Sequence, residues 1–281
     1  MSILRVSNLC KEYPKFTLSG VSFSLEKGTI TGLIGRNGAG KSTTLKGLLG
    51  LIPTVGEIEY FGLPFAGNEK EIKRKTGYVA GGFDFYKMKT LQAIKKIYSL
   101  FYPTWDNGTY DELCRKFSLD EKKKVSELSQ GMKVKFSLAL ALSHGAELLI
   151  LDEPTSGLDP LSREEICDIL LALVSERNVT VLFSTHVTSD LTRIADNVVF
   201  LSDGKVLLDE PLGVLLDKYV VVTASTKEEL ASIVPFPIGI KKVKSGFECL
   251  AETNSLHSPI GEKADLDRIM IHLESDKGGI L

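Results

Sequence analysis

The chain has 281 residues, 43% hydrophobic and 25% charged, with a formal net charge of −2. That length accommodates one large domain or two modest ones, and the charge gives no basic field that would make nucleic acid the main partner. No apolar run reaches the roughly 18 to 20 residues that cross a bilayer. MSILRVSNLCKEY lacks the apolar stretch and cleavage site of a secretory signal, and Cys10, Cys114, Cys167 and Cys249 form no CxxC pair. These features predict a cytoplasmic protein in a reducing compartment, without structural zinc.

In chain order, residues 3–9 and 21–34 predict strands from their β-branched and apolar content. TITGLIG runs into a glycine-rich turn, and STTLKGLLGLI follows it with helical spacing. A β-rich piece at 55–64 and a charged stretch precede a strand, YVA, at 78–80. From about 85 to 146 the periodicity is helical, in LQAIKKIYSLFY, TYDELCRKF and MKVKFSLALALSH. Strand signals return at 147–151, 179–183, 197–201 and 205–208, with a helix at 162–176. The alternation predicts an α/β fold with a largely parallel sheet and crossover helices, into which 85–146 is inserted. The last part, from KYVVVTAS to ADLDRIMIHLES, predicts strand, helix, strands and helix as a separate unit.

Residues 35–43, GRNGAGKST, fit the pattern G-x-x-x-x-G-K-[ST] between a strand and a helix. Glycines let consecutive N–H groups turn inward around a phosphate, aided by the following helix N-terminus. Gly35, Asn37, Gly38, Ala39, Gly40, Lys41, Ser42 and Thr43 are the candidate nucleotide ligands. Lys41 would reach the β- and γ-phosphates of ATP, and the Ser42 hydroxyl would ligate Mg²⁺. The plain alternative is an ordinary glycine turn. ELLILDEP at 147–154 is an apolar strand ending in two acids. Asp152 would hold Mg²⁺ through water, and Glu153 would polarise the attacking water as general base. A strand followed by a solvated turn is the alternative there.

Further segments carry a resemblance. LSQGM at 128–132 resembles the LSGGQ signature, altered at its third and fifth positions. SGLD at 156–159 resembles a D-loop, and STH at 184–186 resembles a switch-histidine segment. In order and spacing, residues 3 to about 210 resemble ABC ATPases, where Tyr13 takes the place of an aromatic that stacks on adenine. The resemblance implies a P-loop NTPase with a RecA-like parallel sheet, an N-terminal antiparallel β subdomain and an inserted helical subdomain. It implies an ATPase domain over 1–212, with 213–281 as a small α+β accessory unit.

It also implies ATP hydrolysis with Glu153, His186 and Lys41 as catalytic residues and Ser42 and Asp152 on the metal. Two such domains pack head to tail in this family. Ser129 and Gly131, before a helix, would therefore serve the γ-phosphate of a second subunit's nucleotide, and Asp159 would help join the halves. A plain N-cap at Ser129 is the bland alternative. His144, His257 and His272 read as structural. The implied partners are a separate transmembrane permease and a second ATPase subunit, in a homodimer or heterodimer, with no nucleic acid. The location implied is the inner face of the cell membrane, peripherally through the permease.

One departure stands out. Gly81 occupies the position where the family places a glutamine that touches Mg²⁺ and links to the membrane partner. Water or Asp84 could take the metal position, or Gly81 and Gly82 could simply loosen the loop, with slower or more loosely coupled hydrolysis expected. The aromatic run YSLFYPTWD (98–106) is either a set of interface anchors for the permease or packing within the helical subdomain. With the missing glutamine, it resembles ATPases of ABC-2-type exporters, including exporters of antimicrobial or phenol-soluble-modulin-type peptides. A weakly hydrolysing regulatory subunit and a soluble non-transport ABC ATPase are the alternatives.

Overall fold

In the computed structural model, residues 2–81, 86–256 and 260–276 are described. The chain begins with β1 (Ser2–Tyr13) and β2 (Phe16–Glu26), an antiparallel hairpin turned by Pro14 and Lys15. A turn at Lys27–Thr29 separates it from β3 (Ile30–Ile34). Next come α1 (Lys41–Leu48), β4 (Val55–Tyr60), β5 (Leu63–Pro64), α2 (Glu69–Lys75) and β6 (Thr76–Ala80). The helical segment contributes α3 (Leu91–Phe101), α4 (Asn107–Lys116) and α5 (Gln130–Ser143). It is followed by β7 (Leu148–Asp152), α6 (Pro160–Arg177), β8 (Thr180–Thr185), α7 (Thr188–Ile194), β9 (Asn197–Ser202) and β10 (Lys205–Pro211). The chain then forms α8 (Leu212–Lys218), β11 (Tyr219–Ala224), α9 (Lys227–Ile233), β12 (Ile238–Val243), β13 (Gly246–Glu252), β14 (Glu262–Lys263) and α10 (Leu266–Asp276).

The central sheet runs β10-β9-β3-β8-β7-β6, parallel throughout except for β10. Every residue of β3 and β8 is buried. Strands covered on both faces need continuous apolar runs rather than alternation, which is why ITGLI and LLIL carry no polar period. The antiparallel sheet β2-β1-β4-β5 lies beside it, and here β2 does alternate, with Leu18, Val21, Phe23 and Leu25 buried. A third sheet, β12-β13-β11-β14, belongs to the C-terminal part. Register sets the functional edge: Ala80 pairs with Asp152, Asp152 with Ser184, and Ile34 with Thr185. The carboxyl ends of β3, β6, β7 and β8 therefore finish together, where parallel α/β sheets bind ligands.

The expected insertion of helices between β6 and β7 is present. α7 and α8 are additional to the expected elements, and the charged stretch before β6 folds as α2; no side-chain N-cap marks the start of any of these three, whereas Thr226 caps the equally short α9. Among the described residues, no helix is long and apolar enough to cross a membrane. The position between 212 and 213 falls at the start of α8. Leu212, Leu215, Tyr219, Val221, Leu250 and Ile269 nevertheless share one apolar cluster with Leu191 and Phe200. Leu215 is fully buried in it. Leu215→Ala is expected to cost about 2–5 kcal/mol. Because the cluster spans both parts, the loss should appear as a lower midpoint of one shared transition. Thermal unfolding followed by circular dichroism and by fluorescence of Trp105, on the distant helical segment, checks whether the two signals move together.

Candidate active site

The phosphate loop lies between two elements packed into the core. β3 is buried along its whole length, and α1 packs through Thr44, Leu45 and Leu48. Gly40 closes the loop at φ 110°, a left-handed conformation open to glycine, and a Cβ there would press on the Phe16 ring at 2.9 Å. Lys41 is almost fully buried, and its Nζ donates to the Gly35 carbonyl at 2.7 Å and lies 3.5 Å from Glu153 Oε1. The lysine is thus folded back over the loop, its charge held by a carbonyl and a carboxylate.

Across the loop, Asp152 Oδ1 accepts from Ser184 Oγ at 2.8 Å and from Ser42 Oγ at 3.2 Å. Burial, and then the Asp152 charge, push the Tyr78 phenol up to about 12, so it stays neutral beside that carboxylate. Glu153 sits at φ 52°, an uncommon left-handed position for a side-chain-bearing residue. Its N–H is held at 3.1 Å by the Ser184 hydroxyl and carbonyl oxygens. That turn swings the carboxylate off the strand to meet His186, whose Nδ1 is 2.7 Å from Glu153 Oε2. One carboxylate therefore stands between Lys41 and His186. A cavity of about 660 Å³ opens over them, lined also by Asn37, Gly38, Gly40, Ser42 and Thr43.

The sequence family model for "ABC transporter" matches residues 18–156. The bacitracin transport ATP-binding protein BcrA of Bacillus licheniformis is 38% identical over 214 residues, covering 75% of this chain and 70% of that protein. The lantibiotic transport ATP-binding protein SrtF of Streptococcus pyogenes is 34% identical, over 74% of this chain and 90% of that protein. The chain belongs to the ABC transporter ATP-binding family. A solved ATP-binding subunit of an ABC transporter superposes with a TM-score of 0.67 at 29% identity, covering 75% of this chain and 90% of that one. The protein is accordingly a nucleotide-binding, ATP-hydrolysing ABC subunit of the P-loop NTPase fold.

Within this ABC subunit, the expected residues divide into two groups. Gly35 and Ala39 line an adjoining cavity of about 530 Å³ with Arg36 and His186. Ser129, Gly131 and Asp159 do not line the phosphate cavity. Ser129 is the N-cap of α5, accepting from the Met132 N–H at 3.2 Å, and it remains exposed. Asp159 caps α6, and hydrogen bonds from the Ser162 hydroxyl and N–H hold its carboxyl below the usual range. Tyr13 is 41% exposed, 6.5 Å from the Phe16 ring, and it is Phe16 and Lys15 that line the cavity. Neither of those was singled out from sequence. Their signal was available in the hairpin: Tyr13 pairs with Phe16 across Pro14 and Lys15, so the turn projects over the loop. Ser156 and Ser184 were likewise passed over, although both lie inside quoted motifs.

The aromatic run divides between its two readings. Tyr102 stacks on His144 at 4.0 Å and on Tyr98 at 5.2 Å, and Trp105 lies 5.6 Å from Tyr110. Leu100 and Phe101 instead face outward, 80% and 72% exposed. His144 is structural: its Nδ1 is 3.0 Å from the Arg74 carbonyl, and burial lowers its pKa. His272 is fully buried against the Gly239 carbonyl. His257, Gly82 and Asp84 lie outside the described residues.

Gly81 has a stricter role than loosening a loop. Its N–H donates to the Asp152 carbonyl at 2.7 Å, and a Cβ there would overlap the Glu153 carbonyl oxygen and stand 2.9 Å from its carbon. Here the missing side chain lets two strand ends close up behind Asp152 and Glu153. Gly81→Ala should therefore force the Glu153 backbone aside, costing about 1–3 kcal/mol of stability as overpacking does. Turnover should fall with it, and Gly81→Gln should slow ATP hydrolysis instead of improving it. Steady-state ATPase rates alongside unfolding midpoints for both variants check this.

Proposed function

We propose that this subunit powers export of amphipathic or antimicrobial peptides through a separate transmembrane permease, using ATP sites completed by a second ATPase subunit. Residues 1–212 act as the ATPase domain and 213–281 as its accessory unit, held peripherally at the cytoplasmic face of the membrane by the permease. The observation that carries the reading is the Glu153 carboxylate poised between Lys41 and His186. The similarity to subunits that transport bacitracin and lantibiotics supports the cargo class.

The chemistry follows from the contacts. A terminal phosphate entering the loop offers Lys41 a stronger partner than the Gly35 carbonyl, and turning toward it frees Glu153. Glu153, held from its backbone by Ser184, can then accept a proton from the attacking water, while His186 takes the phosphate side. Backbone N–H groups from Gly38 to Thr43 bind the phosphates, and Phe16 with Tyr13 offers an aromatic surface for the base. Ser42 and Asp152 bring hard oxygen donors 3.2 Å apart, a donor set that fits Mg²⁺. When bound there, Mg²⁺ neutralises phosphate charge. Ser129 accepts a bond at its cap, so its own hydroxyl proton stays available for the γ-phosphate held by the second subunit, with the Gly131 N–H beside it.

Glu153→Gln keeps the shape of the site and removes the base. It should lower turnover by about 10²-fold or more, as loss of a positioned base does, and accumulate ATP-bound dimers. Single-turnover assays with size-exclusion chromatography test this, and undiminished turnover would remove Glu153 from the role. Leu100 and Phe101 are the permease-facing anchors in this reading. Replacing both with serine should sharply reduce recovery of the permease in co-purification, with the circular-dichroism spectrum unchanged.

A further inference from the structure

The C-terminal helix α10 reaches the catalytic edge. Its inner side, with fully buried Ile269 and His272, is clamped to the accessory sheet: His272 Nδ1 lies 2.6 Å from the Gly239 carbonyl, and Asp276 accepts from the Gly239 N–H at 3.1 Å. Asp267, Met270 and Glu274 recur at helical spacing and share another side. Thr188 Oγ1 donates to Asp267 Oδ1 at 2.8 Å, and Glu274 Oε2 lies 3.8 Å from an Arg36 guanidinium nitrogen in the phosphate loop. Met270 and Glu274 line the 530 Å³ cavity with Gly35 to Ala39 and His186. All three residues line a second cavity of about 430 Å³ with His186 and Thr188.

We propose that Asp267 is a positioning residue for the switch histidine, which makes the accessory unit a part of the ATP site. Thr188 stands two residues after His186 and is 8% exposed, so its hydroxyl has little solvent to turn to. Spanning His186 itself, the Val187 N–H is tied back to Thr185 Oγ1 at 2.9 Å. The histidine segment is thus pinned from the sheet by Thr185 and from α10 by Asp267. Of the two α10 contacts, Asp267–Thr188 dominates. It is short, joins a buried donor to a charged acceptor, and outweighs a 3.8 Å pair whose arginine side chain is 78% exposed. The clamp on Gly239 means that motion of the accessory sheet moves Asp267 with it. The inference rests on His186 serving the terminal phosphate.

The test is steady-state ATPase kinetics of the full chain carrying Thr188→Val, Thr188→Ser, Asp267→Ala, Asp267→Asn or both Thr188→Val and Asp267→Ala, with His186→Ala as reference and unfolding midpoints for all. Loss of one charge-assisted hydrogen bond should lower kcat about tenfold in Thr188→Val and in Asp267→Ala. The KM for ATP should stay within about twofold, since the effect acts on geometry at the phosphate rather than on nucleotide affinity. Serine at 188 and asparagine at 267 keep a donor and an acceptor and should restore most of the rate. The double variant should be no worse than either single one. Parental kcat in Thr188→Val, with His186→Ala inactive, overturns the tether alone, as would multiplying losses in the double variant. Full turnover in His186→Ala overturns both the tether and the reading of the histidine beneath it.

Discussion

Asp152 accepts a hydrogen bond from Ser184 at 2.8 Å and another from Ser42 at 3.2 Å, and through that one carboxylate the ends of β7 and β8 and the start of α1 are fixed to one another. Position alone does not explain the arrangement, because parallel strands with evenly spaced ladders tolerate small shifts at their ends. The shared acceptor removes that freedom. With Ser184 so engaged, its oxygens also hold the Glu153 N–H. The left-handed turn at Glu153 is then the geometry that remains. Strain of this kind costs of order 1–3 kcal/mol and persists only where neighbours over-determine it. Here the neighbours are Ser184 on one side and the close approach of Gly81 on the other.

The parts of this fold that are legible in sequence are those whose physics is local. A glycine-rich turn between an apolar strand and a helix announces itself, because only glycine provides the backbone freedom that inward-facing N–H groups need. The acidic end of β7 is readable for a similar reason: LLILD passes from continuous burial to charge in a single step. The helical insertion shows in its periodicity, although periodicity does not say which aromatics turn inward. Tyr102 finds the His144 ring, while neighbouring Phe101 stays largely exposed.

What stayed hidden depends on approach between distant segments. Gly81 looks like a lost glutamine until its distance to Glu153 is known, after which it is a packing requirement. Phe16 seems a strand residue like others in β2, yet the hairpin register places it over Gly40. Asp267 lies 79 positions from Thr188, and nothing in ADLDRIMIHLES marks a helix that meets a catalytic edge. α7 supplies the other half of that contact, and no side-chain N-cap marks its start.

The proposed division of the ATP site between subunits has a physical ground as well. An N-capped helix start such as Ser129–Gly131 is an anion site by construction, and a capping serine that accepts from its own helix keeps its hydroxyl proton for another partner. The Ser129 hydroxyl, exposed to solvent, contributes little by itself, because water competes for its proton. Brought against the phosphates of a second subunit it is desolvated, and its attraction for charge rises. In the phosphate loop of the same chain, Lys41 is already neutralised by Glu153 and by the Gly35 carbonyl. In the proposed dimer ATP displaces internal partners of Lys41 on one side and meets the Ser129 hydroxyl on the other. That asymmetry makes closure depend on the terminal phosphate: its loss removes the group both sides grip, and the attraction across the seam falls with it.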